Sequence, residues 1–316
     1  MSRRFWLFAA AAGAAISANS QAIAQDATGE IVVTATRREA ALQDVPIAVT
    51  PVTADAVQNS GIKDLQDLTS VVPALQFNVS ENETSATARL RGVGTQGSSP
   101  GLEAAVGIFI DGVYRARSGV AMGDLPELER IEVLRGPQGT LFGANTTGGV
   151  INVVTKQPTG EFGGEAQLVI GNYGQIEANA SLDFPLGEDF AGKISVLHNS
   201  NNGYFRNYLD GERIGAQNIT SVRGYLKYDG GNYDATLIGE FSASRNDSQT
   251  GILIAGPGDL FYIPGETDNP FDYRRGQSPD QPNSNDRDTY SVTLTQNLDT
   301  VFGTLTSITN YRTFDT

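Results

Sequence analysis

Hydrophobic and polar residues alternate strictly through the second half of the chain. Between residues 175 and 184 every second residue is apolar, and the residues between them are polar or charged. A period of two with one fully polar face is typical of a β-strand that separates an apolar environment from water. The pattern recurs and predicts about seven strands between residues 159 and 316. The apolar face is expected to include Ala166, Leu168, Ile170, Val222, Leu226, Leu237, Phe241, Val292 and Leu294.

The connections between these strands alternate in length after the first short turn. Residues 185–192, 229–232 and 299–302 are short connections, whereas residues 199–218 and 242–288 are long ones. Outer-membrane barrels have short periplasmic turns and long extracellular loops. A soluble β-sandwich, which is the alternative, has no reason to keep the two lengths on opposite sides.

The first half of the chain has a different pattern, with short apolar runs between glycine-rich turns. Residues 131–134 and 150–155 read as two strands, and Pro137 and Gly139 are expected to shape the turns between them, Gly139 with a positive φ. Residues 105–114 predict a hairpin whose two-residue turn is Asp111-Gly112.

Two further elements are expected near the start of this half. Residues 45–50 predict a strand with an edge proline, and Thr53 is placed to cap a short helix that extends to Asn59. Ile62, Leu65, Leu68 and Val71 follow at three-residue spacing, which is consistent with one buried helix face.

Composition excludes several classes of function. The 316 residues include no cysteine, one histidine and a formal net charge of -14. An acidic chain is a poor partner for nucleic acid, and His198 alone supports neither a histidine metal centre nor a catalytic pair. The G-x-G-x-x-G spacing at residues 92–97 is followed by Pro100 and Gly101 and not by a helix. We therefore expect no cofactor, no metal and no enzymatic activity.

The N-terminus has the pattern of a secretory signal peptide. Positive residues precede a short apolar core, and Ala22-Ile23-Ala24 is a small-residue cleavage pattern, with Gln25 as the expected mature N-terminus. A membrane anchor is the alternative, but the apolar run is too short to span about 30 Å of hydrocarbon. We expect a signal peptide over residues 1–24 and an N-terminal arm over residues 25–39.

Residues 129–156, read as ERIEVLRGPQGTLFGANTTGGVINVVTK, resemble the end of the plug domain of TonB-dependent outer-membrane receptors. The resemblance is long, and the alternation after Pro158 agrees with it. It implies a mainly β fold: a small α/β plug domain over residues 40–158, followed over residues 159–316 by an incomplete antiparallel transmembrane β-barrel.

The resemblance also implies roles for individual residues. The arm is similar to the TonB box, a segment that the energy-transducing partner grips, although a plain first strand of the plug is the alternative. Arg91 and Arg135 would latch the plug to barrel glutamates, or else lie at the surface, and loop residues near the outward-facing apex would meet the ligand or remain solvated. The implied TonB box is Glu30, Ile31, Val32, Val33, Thr34, Ala35 and Thr36, and the implied apex is Gln96, Ser98, Ser99, Tyr114, Arg115 and Arg117.

The function that the resemblance implies is active import across the outer membrane. The imported compound would be a scarce large solute such as a ferric siderophore, and the partners would be TonB with its inner-membrane complex and outer-membrane lipid. Importers of cobalamin, glycans or aromatic compounds and a passive channel or adhesion barrel are alternatives. Since plugged transporters have about 22 strands, the sequence reads as a truncated product or fragment, which would be non-functional on its own.

Overall fold

The computed structural model describes residues 31–38, 40–62, 64–78, 86–95, 103–116, 127–207, 211, 213–247, 274–275 and 284–315. The predicted signal peptide and the site residues Glu30, Gln96, Ser98, Ser99 and Arg117 lie outside the described residues, so the expectations for them stay predictions. Within the described ranges, no helix has the length and apolar character needed to cross a membrane.

The first half forms a mixed five-stranded sheet with the order β3-β9-β10-β7-β8. In this sheet β10 pairs antiparallel with β9 and parallel with β7. A two-stranded sheet (β1-β2) and a three-stranded sheet (β4-β5-β6) accompany it. The strands are β1 Val32–Val33, β2 Ala40–Ala41, β3 Val49–Thr53, β4 Leu75–Asn78, β5 Thr87–Leu90, β6 Val93–Gly94, β7 Val106–Ile110, β8 Val113–Tyr114, β9 Leu128–Arg135 and β10 Gly149–Thr155; the helices are α1 Ala54–Asn59 and α2 Gly139–Phe142.

The strands predicted at residues 131–134 and 150–155 and the hairpin at residues 105–114 are confirmed, and the short helix is capped as expected. Thr53 Oγ1 accepts a hydrogen bond from the backbone N–H of Ala56, which satisfies one of the unpaired donors of α1. Asp111 and Gly112 both have positive φ, as a two-residue hairpin turn requires. Apolar side chains from both faces of β9 and β10 are buried, so these strands lie at the centre of the plug.

Three local predictions were wrong. The strand expected at residues 45–50 is Val49–Thr53, an edge strand that accommodates Pro51. The positive φ expected at Gly139 occurs at Gly136 and Gly143, because Gly139 begins α2.

The helix face expected at residues 62–71 is instead a series of turns with a short 3₁₀ segment, Asp67–Ser70. The Asp64 carboxylate accepts the backbone N–H groups of Gln66 and Asp67 at 2.7 and 3.0 Å, which competes with helical hydrogen bonding. Leu65 and Leu68 are nevertheless fully buried in the core.

The second half forms one sheet of seven antiparallel strands, which confirms the expected number. Each strand pairs with its neighbour in the order β11-β12-β13-β16-β17-β19-β20. A small separate sheet, β15-β14-β18, lies in the long connections. The strands are β11 Gly163–Ile170, β12 Ile176–Pro185, β13 Phe190–Asn201, β14 Phe205–Asn207, β15 Arg213–Ile214, β16 Gln217–Asp229, β17 Tyr233–Asp247, β18 Arg274–Arg275, β19 Ser284–Thr300 and β20 Gly303–Asp315.

In a water-soluble protein the apolar face of a sheet is buried and the polar face is exposed. The seven-stranded sheet has the opposite arrangement. Leu168, Ile170 and Val292 on the apolar face are 65%, 74% and 52% exposed. On the other face Arg223 and Thr289 are buried at 4% and 0% exposure, because the plug lies against this face. The expected alternation is confirmed, and the soluble-sandwich alternative is excluded because the apolar faces do not close on one another.

The middle of the apolar face offers a direct test of this arrangement. We expect Val222→Arg to destabilise the protein by about 2–4 kcal/mol, because it places a charge at mid-height in lipid. The adjacent Ser221→Arg is the matched control, since Ser221 lines the cavity between plug and wall on the opposite face, and the change should cost much less there. Denaturant unfolding of the complete receptor in lipid vesicles measures both, and equal costs would contradict the assignment of the faces.

Candidate functional site

The plug and the seven-stranded sheet meet through buried charged side chains. Glu240 of β17 is the centre of this contact, with its side chain 7% exposed. Its Oε2 atom accepts hydrogen bonds from Arg223 Nη2 at 2.7 Å and Arg223 Nε at 3.2 Å on the neighbouring strand β16. From the plug, Arg115 Nη2 approaches the same oxygen at 3.5 Å. One carboxylate of the wall therefore binds an arginine of the wall and an arginine of the plug.

The Asp111-Gly112 turn of the plug supplies a second carboxylate, that of Asp111, to the contact around Arg223. Asp111 Oδ1 accepts hydrogen bonds from the Thr155 backbone N–H at 2.9 Å and from Thr155 Oγ1 at 3.0 Å, which orients the carboxylate. Arg223 Nη1 lies 3.6 Å from Asp111 Oδ2, and Tyr225 donates its hydroxyl to Thr155 Oγ1 at 3.2 Å. Arg223 thus bridges a carboxylate of the plug and a carboxylate of the wall.

The guanidinium of Arg115 is poorly solvated in this position. The residue is 4% exposed, and its Nε and Nη1 atoms have no hydrogen-bond partner among the described residues. Burial lowers the pKa of Arg115 to about 10, although the neighbouring Glu240 carboxylate opposes the fall. The guanidinium remains charged at neutral pH, so its attraction to Glu240 is retained.

A second charged contact joins the end of the plug to the first strands of the wall. Lys193 Nζ of β13 lies 2.9 Å from Glu127 of the plug and 3.5 Å from Asp183 of β12. Lys156 binds Glu165 of β11 at 2.8 Å and Glu127 at 3.5 Å. Burial acts to lower the pKa of Lys156, but the hydrogen bonds and charges of Glu165 and Glu127 raise it overall.

A cavity of about 680 Å³ separates α1 from the wall between these two charged contacts. Small and apolar residues of the plug, including Ala54 and Val57, line one side. Polar side chains of the wall, including Gln167, Glu177 and Asn179, line the other. The plug therefore touches the wall at separate charged points and not through a continuous apolar surface.

The N-terminal arm is packed onto the plug. Val33 and Ala35 are fully buried, and β1 pairs antiparallel with β2. Thr34 donates its backbone N–H to Glu132 Oε1 at 2.7 Å and its hydroxyl to the same oxygen at 3.1 Å. Arg130 Nε donates to Glu132 Oε1 at 2.8 Å, and Asn152 Nδ2 donates to both Glu132 Oε2 and Thr34 Oγ1 at 3.2 Å. The fully buried Glu132 thereby anchors the middle of the predicted TonB box.

The remaining predicted site residues that the structure describes lie in different environments. Arg91 is exposed at a tight turn, while Arg135 ends β9, and neither forms an ion pair within the described part of the chain. Their role as latch residues stays a prediction. Tyr114 packs against Phe109 and accepts a hydrogen bond from Asn145, and Arg115 faces the wall, so ligand contact by either also stays a prediction.

Sequence reasoning missed most of the residues that hold the plug to the wall. Asp111, which pairs with Arg223 of the wall, was assigned only to a turn. Glu132, which holds the N-terminal arm on the plug, was assigned only to a strand. A signal was present for Arg223 and Glu240, since both are charged residues at inward positions near the middle of their strands. Within the described ranges, no group of three or more histidine, aspartate or glutamate residues is arranged to hold a metal ion.

The shared carboxylate should dominate the stability of the plug–wall contact. We expect Glu240→Gln to destabilise the protein by about 3–5 kcal/mol, because the buried Arg115 loses the carboxylate that it faces and the buried Arg223 keeps only the more distant Asp111. The control is Asp286→Asn, whose side chain is 56% exposed near Arg245; this change should cost less than about 1 kcal/mol. Denaturant midpoints of the complete receptor measure both, and similar values would contradict the assigned role of Glu240.

Comparison with known proteins identifies the first half directly. Residues 41–150 match the sequence family described as the TonB-dependent receptor plug domain. The pesticin receptor of Yersinia pestis is 27% identical over 187 residues, which are 59% of this chain and 27% of that protein. The vitamin B12 transporter BtuB of Vibrio vulnificus is 31% identical over 48% of this chain and 24% of its own length. The chain thus spans about a quarter of the length of these relatives.

Solved structures agree with the fold of both halves. The ferric yersiniabactin uptake receptor FyuA from Yersinia pestis superimposes with a TM-score of 0.72 at 22% identity, covering 85% of this chain and 41% of that one. The closed form of the ferric-catecholate import receptor Fiu from E. coli gives 0.69 at 20% identity, covering 89% and 38%. The match identifies residues 41–150 as a TonB-dependent receptor plug domain, and the solved structures show that both halves of the chain share the fold of these receptors.

Proposed function

We propose that the complete protein is an outer-membrane receptor that binds a scarce large solute outside the cell and imports it with energy from a TonB-type partner. The observation that carries this proposal is the position of the plug, which lies on the polar face of a sheet whose other face is apolar and exposed. Such an arrangement suits a gated passage through lipid. The proposal assigns no bond-making or bond-breaking step to the chain.

The charged contacts between plug and wall support a gating role. Ion pairs between two polar surfaces separate without exposing a large apolar core, so a pulling force can displace the plug while the wall keeps its fold. The cavity beside α1 already interrupts the contact. Displacement of the plug would enlarge this existing gap.

An iron complex is the proposed solute. Among the relatives and structural neighbours are proteins named as a catecholate siderophore receptor, a ferric yersiniabactin uptake receptor and a ferripyoverdine receptor. The vitamin B12 transporter BtuB is also among the relatives, so cobalamin is the second candidate. Growth of a gene-deletion strain with single ferric siderophores as the iron source, compared with cobalamin-dependent growth, distinguishes the two.

The arm provides the sharpest test of active transport. We expect deletion of residues 31–34 from the complete gene to abolish uptake of the solute and to leave its binding at the cell surface intact. Uptake should fall to the level of a strain that lacks the partner, because an extended segment is needed for strand addition to the partner's sheet. Radiolabelled solute measures binding and uptake in the same cells.

Retained surface binding is the internal control for folding of the deletion variant. Uptake that continues unchanged without the arm would contradict the proposal and favour the alternative of a passive channel. Channel conductance in planar bilayers, measured with and without residues 31–34, would then give the same value for both proteins.

A further inference from the structure

The cavity between α1 and the wall has the dimensions of a small-molecule site. Its volume of about 680 Å³ falls within the range of roughly 300–1,000 Å³ found for pockets that bind organic ligands. Helix α1, Ile62 and Leu128 of the plug form one side, and strands β11, β12, β13, β16 and β17 of the wall form the other. The space is therefore large enough for an organic molecule.

Part of this cavity is apolar on both sides. Val57 and Ile62 of the plug line it, and so do Val169 and Leu197 of the wall. Val169 and Leu197 occupy inward positions on β11 and β13, where the alternation places polar residues such as Gln167. They border the same space as the apolar residues of the plug, so the cavity can accommodate an apolar body.

The charged residues are distributed unevenly around the cavity. At the end formed by β11 and β12 the charged lining residues are Glu127, Glu165, Glu177 and Lys156. Lys193, just outside the lining, adds a second positive charge to this end. Carboxylates still outnumber cations there, so this end favours a positively charged group.

Each end of the cavity contains an acceptor without a donor. At the β12 end, Asn179 Oδ1 is buried and has no hydrogen-bond partner among the described residues. At the β17 end, the hydrogen bonds that Arg223 and Arg115 donate to Glu240 all reach Oε2, and no described donor reaches Oε1. The Glu240 side chain lines the cavity and is only 7% exposed. Since a buried acceptor without a donor is costly, a molecule that donates at both ends offsets this cost.

The two acceptors differ in the donor that suits them. The Asn179 end has surplus carboxylates, whereas Glu240 is already neutralised by Arg223 and Arg115. A cationic nitrogen therefore suits the first end and an uncharged hydroxyl or N–H group suits the second. Strands β12 and β17 are separated by β13 and β16, so their axes lie about 14 Å apart. An aromatic amine with a hydroxyl at the far side of its ring has roughly this length when a hydrogen bond is added at each end.

We propose that this cavity is a binding site for a small amphipathic amine. The ammonium group lies at Asn179 and Glu177, an uncharged donor of the same molecule lies at Glu240, and its apolar body lies between Val57 and Leu197. Because the amine contacts plug and wall at once, it binds only their assembled form and stabilises that form. The inference does not rest on the proposed function, since it concerns a cavity between plug and wall and no step of solute import.

Three related compounds test the site: tyramine, phenethylamine, which lacks the hydroxyl, and para-ethylphenol, which lacks the amine. The complete receptor is held in nanodiscs of zwitterionic lipid, and equilibrium dialysis measures the binding of each radiolabelled compound, with empty nanodiscs as the blank. We expect saturable binding of tyramine with a Kd of about 1 mM or lower. Phenethylamine should bind about fivefold more weakly and para-ethylphenol at least about tenfold more weakly, because the first loses a neutral hydrogen bond and the second a charge-assisted one.

A pair of charge variants assigns the amine to the β12 end of the cavity. Glu177→Gln removes a lining carboxylate and should weaken the binding of tyramine about threefold, while the binding of para-ethylphenol stays unchanged. Glu188→Gln is the matched control, because Glu188 is exposed in the turn after β12 and lies outside the lining, so it should leave both affinities unchanged.

A pair of bulky variants tests the cavity itself. Ala54→Trp places a large ring in the cavity and should abolish the binding of all three compounds. Asp55→Trp, at the exposed neighbouring position outside the lining, should leave binding unchanged. Gln58→Trp, at an exposed lining position of α1, is the second cavity-filling variant and replaces Ala54→Trp if the latter fails to fold. An unchanged denaturant midpoint identifies a folded variant.

Three results would overturn the inference outright. One is binding of tyramine that does not saturate above the blank, and another is equal affinity for tyramine and para-ethylphenol. The third is unchanged binding of tyramine to a folded cavity-filling variant. None of these measurements involves uptake, so they remain decisive even if the receptor imports no solute, a result that would contradict the proposed function separately.

Discussion

Charges buried on both sides of the plug–wall contact must be paired, and this requirement determines how the two halves of the chain meet. The inner face of the wall is polar, whereas its outer face is apolar and exposed, as in a strand that separates lipid from a polar interior. An apolar plug surface would desolvate the Arg223–Glu240 pair without offering either side chain a further partner, at a cost of several kcal/mol. Asp111 and Arg115 of the plug supply the complementary charges instead. The positions of these charges therefore determine where the plug meets the wall.

The interactions that join the plug to the wall differ from those that fold each of them. The plug has its own apolar core around Leu65, Ile131 and Ile151, and the wall has its own ladder of antiparallel hydrogen bonds. Each half therefore has stabilising interactions of its own that do not involve the other. A boundary made of ion pairs and a cavity of about 680 Å³ allows one part to move while both keep their internal structure.

Inside the plug, the pairing of a buried carboxylate also holds the N-terminal arm in place. Glu132 is fully buried and is satisfied by donors from Arg130, Asn152 and Thr34. Two of these donors belong to the sheet and one to the arm, so the carboxylate is well paired when the arm is docked. Arg37, just after the predicted TonB box, adds contacts with the rings of Phe109 and Phe142. Both sets of contacts hold the N-terminal arm on the plug.

Local pattern and tertiary structure determined different features of this protein. Alternation along the chain was sufficient to predict seven strands, their apolar and polar faces and the Asp111-Gly112 hairpin, because side-chain direction in a strand depends only on parity. The sequence also showed which residues carry charge. It did not show which charges meet, since Arg115 and Glu240 are 125 residues apart and pair only after the plug lies against the wall. The docking of Thr34 on Glu132, across 98 residues, is likewise a long-range contact that no local period encodes.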